Sequence, residues 1–385
     1  MILMENFHRY KAQADYLQYP IETLEYIEQQ TYNDELLKHR LYNFKVQTLI
    51  GASVYRFIFD NTQAFLFETA IISNLHETNH LFNVNRSYNS VISLVKVNDF
   101  PDINKYLMAV NFRLFDKGFF IGVVEPKSIV KTNMFRKYPP GLNNLLYSLG
   151  YLLNDILQLT SFTRCLLIKL NNKERNFISK AEAFGRLCYC GFELQTERVI
   201  DNKLYFIAKK KQIPAHSKKN HSGLIIKLPR VVKNKKIKNI YKIRTMYPYS
   251  EYIQDYALKT KGLGLGGKIN ADFRVSKLGR FLRKYWLDEL PMLLNLLRGD
   301  IKLVGVRPLS THYFNLYTKD LQDLRTKTKP GLIPPFYVDF PETLDEIMLS
   351  ELKYLNQYFE KPLITDIKYL FKALFNIFFK GYRSK

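Results

Sequence analysis

Charged residues are spread through the whole of a chain that is otherwise rich in apolar side chains. Of the 385 residues, 46% are hydrophobic and 15% aromatic, yet no run of eighteen or more lacks a charged residue. A membrane-spanning helix needs about 20 mostly apolar residues, so none is predicted. The apolar content must instead be buried in cores or laid against a surface, and it is too high for a disordered chain. The length predicts two domains, or one domain with a large extension.

The charge balance is strongly basic. Lys and Arg number 58 and Asp and Glu 35, which gives a net charge of +23. Candidate partners are therefore nucleic acid, an anionic membrane surface and phosphorylated substrates. The three cysteines, Cys165, Cys188 and Cys190, show neither a CxxC pair nor zinc-ligand spacing, and their odd number favours a reducing cytoplasm. The first residues have no long apolar core or cleavage site, so no signal peptide is predicted.

The region 1–211 has the pattern of an α/β unit. Apolar runs at 91–95, 118–124 and 203–208 predict buried strands, and 178–187 predicts a short amphipathic helix before Gly191. An apolar insertion at about 139–170 also carries Asp155 and Arg164. Two interpretations remain open for it: a segment in a membrane interface whose polar residues reach water, or an ordinary buried helical pair.

A polar, basic linker at 212–220 leads into a third region, 221–385. This region opens with a basic strand pair, 224–227 and 240–243, and closes with a helix at 364–379. The apolar residues of that helix recur at helical spacing: Ile367, Leu370, Phe371, Leu374, Phe375 and Phe378. Its basic flank predicts a helix that lies on an anionic surface.

The segment 277–300 predicts two helices with a break near 285–287. Asp288 suits an N-cap, Pro291 a first turn and Gly299 a C′ position. An apolar stripe follows from Leu290, Leu293, Leu294 and Leu297. Asp288 and Glu289 would then lie at the positive end of a helix, which also favours a bound phosphate, and they would point in different directions. By itself, this pattern is more often a plain N-cap with an acidic first turn, since such helix starts are common.

This segment contains two short motifs, and three more lie on either side of it. In chain order the five are Tyr241-Lys-Ile-Arg-Thr-Met246, Asp272-Phe-Arg274, Gly279-Arg-Phe-Leu-Arg283, Leu287-Asp-Glu-Leu-Pro291 and Leu303-Val-Gly-Val-Arg-Pro308. Their type and order closely resemble the bacterial sugar transferase family, the monotopic phosphoglycosyl transferases that start glycan assembly on undecaprenyl phosphate. The resemblance covers roughly 223–381. It implies an α+β domain with amphipathic interfacial helices, on the cytoplasmic face of a bacterial inner membrane.

The resemblance also implies a reaction. Asp288 would attack the β-phosphate of a UDP-sugar, release UMP and hold the phosphosugar until a polyprenyl phosphate accepts it. Glu289 would help to hold Mg²⁺. The implied substrate-binding residues are Lys242, Arg244, Asp272, Arg274, Arg280 and Arg307. The product would start exopolysaccharide, O-antigen or glycoprotein glycan assembly. The resemblance names neither the sugar nor the oligomeric state, and a homo-oligomer is left open.

The chain departs from the family's pattern at three places. Val306 and Phe273 replace prolines of two turns, and no re-entrant membrane helix is visible at 203–220. The missing helix favours an alternative function, a non-catalytic membrane-bound scaffold that retains the transferase fold. The N-terminal region weakly resembles the second half of a class I methyltransferase without its cofactor loop, and we interpret it as degenerate.

Two other patterns are weaker. The glycines at 262–267 match a dinucleotide fingerprint but do not follow an apolar strand, so no dinucleotide is expected. The basic run 233–238 suits anionic lipid headgroups as well as nucleic acid, and no nucleic-acid module accompanies it. We therefore expect no nucleic-acid partner.

Overall fold

The computed structural model describes residues 46–62, 69–75, 87–152, 178–214, 223–262 and 269–379. Several predicted features lie outside these ranges: the first 45 residues, the second half of the apolar insertion, most of the linker and most of the glycine-rich segment.

Five strands of the N-terminal half form one sheet in the order β1-β2-β3-β5-β4. The strands are β1 (Thr69–Ile72), β2 (Tyr88–Lys96), β3 (Leu114–Val124), β4 (Phe192–Ile200) and β5 (Lys203–Lys210). β1, β2 and β3 are parallel, whereas β5 is antiparallel to its neighbours β3 and β4. The helices are α1 (Ala52–Thr62), α2 (Ile103–Arg113), α3 (Lys127–Lys137), α4 (Leu142–Tyr151) and α5 (Lys180–Tyr189). The predicted α/β class is confirmed.

The predicted strands form where β-branched and aromatic residues run together. Val91 on β2 and Phe120 on β3 are completely buried in the sheet's core. Gly122 on β3 has to be a glycine because a Cβ there would collide with the ring of Phe206 on β5. Strand β4 was not predicted, since the sequence there indicated only a turn at Gly191.

The helix predicted at 178–187 is present as α5, two residues further along the chain, and it ends before Gly191 as predicted. The Ser179 hydroxyl accepts a hydrogen bond from the backbone N–H of Glu182 at 3.0 Å, which caps the first turn. After Cys190 the chain turns at Gly191, whose φ of +88° lies in the left-handed region that glycine adopts freely.

The C-terminal half begins with the predicted hairpin, β6 (Ile225–Val231) and β7 (Ile237–Ile243), which pair antiparallel. Two short parallel strands follow, β8 (Lys302–Val304) and β9 (Gly331–Ile333). The helices are α6 (Gln254–Lys261), α7 (Lys277–Lys284), α8 (Met292–Leu297), α9 (Thr311–Asn315), α10 (Lys319–Thr326), α11 (Phe336–Asp339), α12 (Leu344–Glu360) and α13 (Pro362–Phe379).

The two halves are joined through a common core. The largest apolar cluster is built mainly from the N-terminal sheet and helix α5, yet it includes Ile253 of the C-terminal half, which is 1% exposed. Tyr247, Tyr256 and Phe273 pack against the same cluster. A separate core in the C-terminal half surrounds the fully buried Tyr354.

Several helices leave apolar residues exposed. On α13 the exposed side chains are Leu363, Ile364, Ile367, Phe371, Phe375 and Phe379, whereas Tyr369 and Ala373 on the opposite face are buried. In and after α4, Leu142, Leu145, Leu149 and Leu152 are exposed, so the described half of the insertion favours the surface interpretation. Within the described residues, no helix is both long and apolar enough to cross a membrane.

Candidate active site

The acidic pair lies in a tight turn between helices α7 and α8. The break predicted near 285–287 is confirmed: α7 ends at Lys284, and Trp286 adopts a left-handed backbone with φ 59°. Residues Leu287–Glu289 then form one turn of 3₁₀ helix. The N-cap prediction for Asp288 was wrong, because Pro291 takes that position of α8 and Asp288 lies within the turn itself.

Glu289 is paired with a lysine of the neighbouring hairpin. The Lys242 Nζ on β7 lies 2.5 Å from Glu289 Oε1, and the two side chains are only 19% and 21% exposed. A salt bridge that is so shielded from water interacts more strongly than one on the surface. The pair thus fixes the direction of the Glu289 carboxylate and joins the acidic turn to β7.

Asp288 is half-buried, and its surroundings act on its pKa in opposite directions. Burial raises the pKa of Asp288 above its ordinary value, and the charge of Glu289 raises it further. The charges of Lys242 and Arg283 act in the opposite direction. Asp288 is therefore a poorly solvated carboxylate beside two cations, the environment that a nucleophile or an ion ligand requires.

Arg283 was not predicted as a site residue, although it lies in one of the quoted motifs. Its Nε donates a hydrogen bond to Thr245 Oγ1 at 2.9 Å, and its charge acts on both Asp288 and Asp272. Arginine in a motif of basic residues is easily taken for a surface charge, and only the folded chain shows which one faces the acidic turn.

Asp272 and Arg274 form a closed ion pair. The Arg274 Nε lies 2.9 Å from Asp272 Oδ1 and its Nη2 lies 2.8 Å from Oδ2, a two-point contact between largely buried side chains. Burial by itself raises the pKa of Asp272. The hydrogen bonds and charge of Arg274 outweigh burial and hold this pKa below its ordinary value. The two predicted substrate-binding residues thus satisfy each other in this structure.

Arg307 follows β8 and is exposed. Its backbone carbonyl accepts a hydrogen bond from Arg325 Nη2 at 2.6 Å, which fixes the turn. Burial lowers the pKa of Arg230, and the charge of Arg307 lowers it further. The charge of Arg307 also acts on Arg283. This group of guanidinium ions favours binding of an anion such as a diphosphate.

The other two predicted substrate-binding residues have backbone partners. Arg244 Nε donates to the carbonyl of Gly223 at 3.0 Å, and Arg280 Nη1 donates to the carbonyl of Val275 at 3.3 Å. Their contacts thus differ from those of Lys242 and Arg283, which act directly on the acidic pair. For these two residues, substrate binding remains a prediction.

Asn295 was missed and holds the site together. It is fully buried, and its side chain accepts from Tyr241 N at 3.0 Å and donates to the Asn239 carbonyl at 2.9 Å and to Asp300 Oδ2 at 3.1 Å. Helix α8 is thereby joined to β7, the strand that carries Lys242. The available signal was one polar residue inside a run of leucines.

The leucine stripe of α8 is present but faces outward. Leu290, Leu293, Leu294 and Leu297 are 51%, 44%, 47% and 84% exposed, while Met292 and Asn295 form the buried side. Because Leu290 directly follows Glu289, an exposed apolar surface begins beside the acidic pair.

The fold and the site define an α/β protein with an acidic pair beside lysine and arginine, an arrangement suited to the chemistry of phosphate groups. Residues 213–380 match the family model described as "Bacterial sugar transferase". The matched part of the chain is similar to that family, and it contains the acidic pair and the cations around it.

Several curated proteins are similar to part of this chain. The chain is 32% identical over 161 residues to the galactosyl transferase CpsE of Streptococcus agalactiae, which is 41% of this chain and 35% of that protein. It is 32% identical over 151 residues, 37% of this chain and 31% of the relative, to the undecaprenyl-phosphate galactose phosphotransferase of Salmonella typhimurium. It is 40% identical over 95 residues, 24% of this chain and 32% of the relative, to the UDP-glucose:undecaprenyl-phosphate glucose-1-phosphate transferase of Caulobacter vibrioides. The chain thus spans about a third of the length of these relatives.

Proposed function

We propose that the protein transfers a sugar-1-phosphate from a UDP-sugar to a polyprenyl phosphate. The observation that carries this proposal is the half-buried Asp288 beside Glu289, Lys242 and Arg283 within a bacterial sugar transferase domain. The names of two relatives, from Salmonella typhimurium and Caulobacter vibrioides, specify undecaprenyl phosphate, which supports the same acceptor class.

In the first step an Asp288 oxygen bonds to the β-phosphorus of the UDP-sugar, and the bond from that phosphorus to the bridging oxygen breaks. UMP leaves with the bridging oxygen and its electron pair, and the sugar phosphate stays on the carboxylate. The half-buried position of Asp288 leaves few water molecules to displace before this attack. The guanidinium ions of Arg283 and Arg307 would balance the charge of the diphosphate.

In the second step a phosphate oxygen of the polyprenyl phosphate attacks the same phosphorus. The bond to Asp288 breaks, its carboxylate is restored and a polyprenyl diphosphate sugar is released. Glu289 takes a separate role, because Lys242 already holds it in a fixed direction.

A magnesium ion at this site would need ligands from the bound UDP-sugar as well as from the protein. Mg²⁺ binds proteins through one or two carboxylates and completes its shell with substrate phosphates and water. Asp288 and Glu289 supply that number, and no cluster of three or more ligating side chains occurs within the described ranges. Glu289 would hold the ion, which would neutralise charge on the diphosphate.

The membrane surface is the proposed location, on the cytoplasmic face of a bacterial inner membrane. The exposed leucines of α8 begin beside the acidic pair, and α13 carries a second exposed apolar face. A lipid acceptor needs such a surface because its chain stays in the bilayer while its phosphate reaches the site. The net charge of +23 adds attraction to anionic lipids.

The N-terminal region is proposed to be a degenerate methyltransferase-like domain without catalysis of its own. Parallel strands with helical crossovers, closed by an antiparallel hairpin, support this interpretation. Open α/β sheets bind ligands at the carboxyl ends of their strands. There, Lys96 and Glu125 form a 2.6 Å ion pair, and Asn133 also contacts Glu125, so these polar groups satisfy one another.

The test is UMP release from a panel of UDP-sugars with polyprenyl phosphate, membrane extract and Mg²⁺. Release by the wild type, its loss in Asp288→Asn and its loss after EDTA are expected. Undiminished release by Asp288→Asn would sink the nucleophile assignment, and full activity after EDTA would remove the metal. Membrane binding without any UMP release is the result that the scaffold alternative predicts.

A further inference from the structure

Helix α5 of the N-terminal half lies unusually close to the chain that leads into the active site. Gly185 faces the backbone of Tyr249, and a Cβ at Gly185 would collide with the Tyr249 carbonyl oxygen. Tyr249 itself adopts a left-handed backbone, with φ 62°, before the short helix Ser250–Ile253. A non-glycine residue in that conformation is uncommon and persists only where its surroundings fix it.

The side chain of Tyr249 is fixed by the same N-terminal half. Asn104 Nδ2 donates to the Tyr249 hydroxyl at 2.7 Å, and the guanidinium of Arg186 lies 4.7 Å from the centre of its ring. Arg186 is buried and is held in turn by Glu182 Oε1 at 3.0 Å and Asn104 Oδ1 at 3.0 Å. The backbone, ring and hydroxyl of Tyr249 are therefore all in contact with N-terminal residues.

The other end of the same turn contacts the active site. Tyr247 N donates to the carbonyl of Arg274 at 2.9 Å, and Thr245 Oγ1 accepts from Arg283 Nε at 2.9 Å. Thr245 also lies so close to helix α7 that a Cβ at Gly279 would collide with its carbonyl oxygen. Arg283 lies in the last turn of α7, five residues before Asp288, so this contact fixes the helix end that leads into the acidic turn.

We propose that helix α5 of the N-terminal half is a positioning element for the active site. Gly185, Arg186 and Asn104 hold Tyr249, and the turn from Thr245 to Tyr249 holds Arg283 at the end of α7 that leads into the acidic turn. The N-terminal half would then contribute to the reaction through geometry without touching the substrate. This inference rests on the proposed function, although one of its tests does not require activity.

The test compares two glycine substitutions in the full chain. Gly185→Ala forces the Tyr249 backbone away from α5, whereas the control Gly150→Ala adds a methyl group to α4 with nothing within 4 Å of it. A displacement of about 1 Å can cost about 100-fold in rate, so kcat for UMP release should fall by up to about 100-fold in Gly185→Ala only. KM for the UDP-sugar should change by less than kcat, because the substitution lies away from the substrate and acts only through the position of the turn.

Trp286 supplies a readout that needs no catalysis. It is the sole tryptophan of the chain, it precedes Asp288 by two residues, and its ring lies 4.5 Å from that of Tyr337. Its fluorescence emission should shift in Gly185→Ala and stay unchanged in Gly150→Ala. If the wild type releases no UMP under any condition, the proposed function fails, while this emission still decides the positioning role.

Two further variants keep the result interpretable. Tyr249→Phe removes only the hydroxyl that Asn104 contacts, and it should lower kcat and shift Trp286 emission by a smaller amount even if Gly185→Ala does not fold. Val91→Ala weakens the N-terminal core away from Tyr249, so it should lower the melting temperature without changing kcat or Trp286 emission. Lower melting temperatures in Gly185→Ala and Tyr249→Phe, with wild-type kcat and Trp286 emission, would reduce α5 to a packing helix and overturn the proposal.

Discussion

Asp288 is expected to cost stability at the pH where it would work. Its pKa is raised in the folded chain by burial and by Glu289, so the folded protein binds a proton more readily there than the unfolded chain does. The stability that this preference provides is present at low pH and is lost as the pH rises through the folded pKa. Asp288→Asn should therefore melt at the same temperature as the wild type or higher at neutral pH.

The difference in melting temperature between Asp288→Asn and the wild type should shrink at low pH. Once the pH falls below the pKa of Asp288 in the folded protein, toward the ordinary aspartate value of about 3.9, both proteins are uncharged at this position. Thermal melts of both proteins across that range measure it. A variant that is clearly less stable at neutral pH would show that Asp288 supports the turn instead of straining it.

Lys242 is expected to set the acidic limb of the pH–rate profile. Its charge opposes the rise in the pKa of Asp288, so Lys242→Met should raise that pKa and move the acidic limb of kcat/KM to higher pH. A matched control is Lys238→Met on the same strand, since Lys238 pairs with Asp300 at 3.5 Å. Identical profiles for the two variants would contradict the role of Lys242.

The residues of the site were only partly predictable. Asp288, Glu289 and Lys242 lie in short motifs, and the resemblance that predicted them rests on those motifs. The Lys242–Glu289 contact joins positions that are distant in the sequence, and no local pattern encodes it. Asp288 looked like an N-cap because acidic residues before a helix usually are, and the left-handed Trp286 changed the path of the chain.

At the scale of elements, the attachment of α8 to β7 depends on one side chain. Asn295→Ala would leave Tyr241 N and the Asn239 carbonyl without their partner, at about 1–3 kcal/mol for each group that stays buried. We expect a correspondingly lower free energy of unfolding by denaturant titration. Leu297→Ala on the same helix is the control, because Leu297 is 84% exposed and its change should stay within about 0.5 kcal/mol. Equal effects of the two changes would contradict the anchoring role.

Helix α13 is expected to bind membrane through its exposed phenylalanines. Phe371 and Phe375 are 67% and 54% exposed, so replacing both by serine should leave the fold intact, as circular dichroism would show. The double replacement should also remove a salt-independent contribution to membrane binding, about 1.5–3 kcal/mol per fully buried side chain. High salt should then extract the protein from the membrane. Leu374 is only partly exposed and the Phe378 side chain lies outside the described residues, so neither belongs in this variant.

The control for α13 is replacement of the exposed Lys368 and Lys372 by serine. These changes should weaken only the salt-sensitive contribution, about 1 kcal/mol for each lysine. Detergent should still be needed for complete release. Aggregation of the phenylalanine variant would mean that this face packs against protein. The spacing in the sequence predicted this helix within two residues, but it did not show which face is exposed.

The sequence divided the whole molecule into regions, but it did not show how they meet. Gly185 lies within a predicted helix, and nothing in the sequence around it indicates a tertiary contact, since glycine in a helix interior is usually only destabilising. In the structure it is the point where α5 reaches the backbone of Tyr249. Tertiary contacts between segments so far apart leave no periodic signal, so the common core became visible only in the folded chain.

The common core predicts that the transferase region depends on the N-terminal half. A fragment of residues 213–385 uncovers Ile253 and the face of Tyr256 that packs on the N-terminal core. Each fully buried side chain of this size contributes about 1.5–3 kcal/mol, so the fragment should aggregate or melt well below the full chain. The full chain should melt in one transition by calorimetry.

The fragment with Ile253→Ser and Tyr256→Ser is the control. It should regain solubility without regaining UMP release, because Tyr249 still lacks its contacts with Asn104 and Arg186. An unchanged fragment that is as soluble, stable and active as the full chain would show that the two halves are independent.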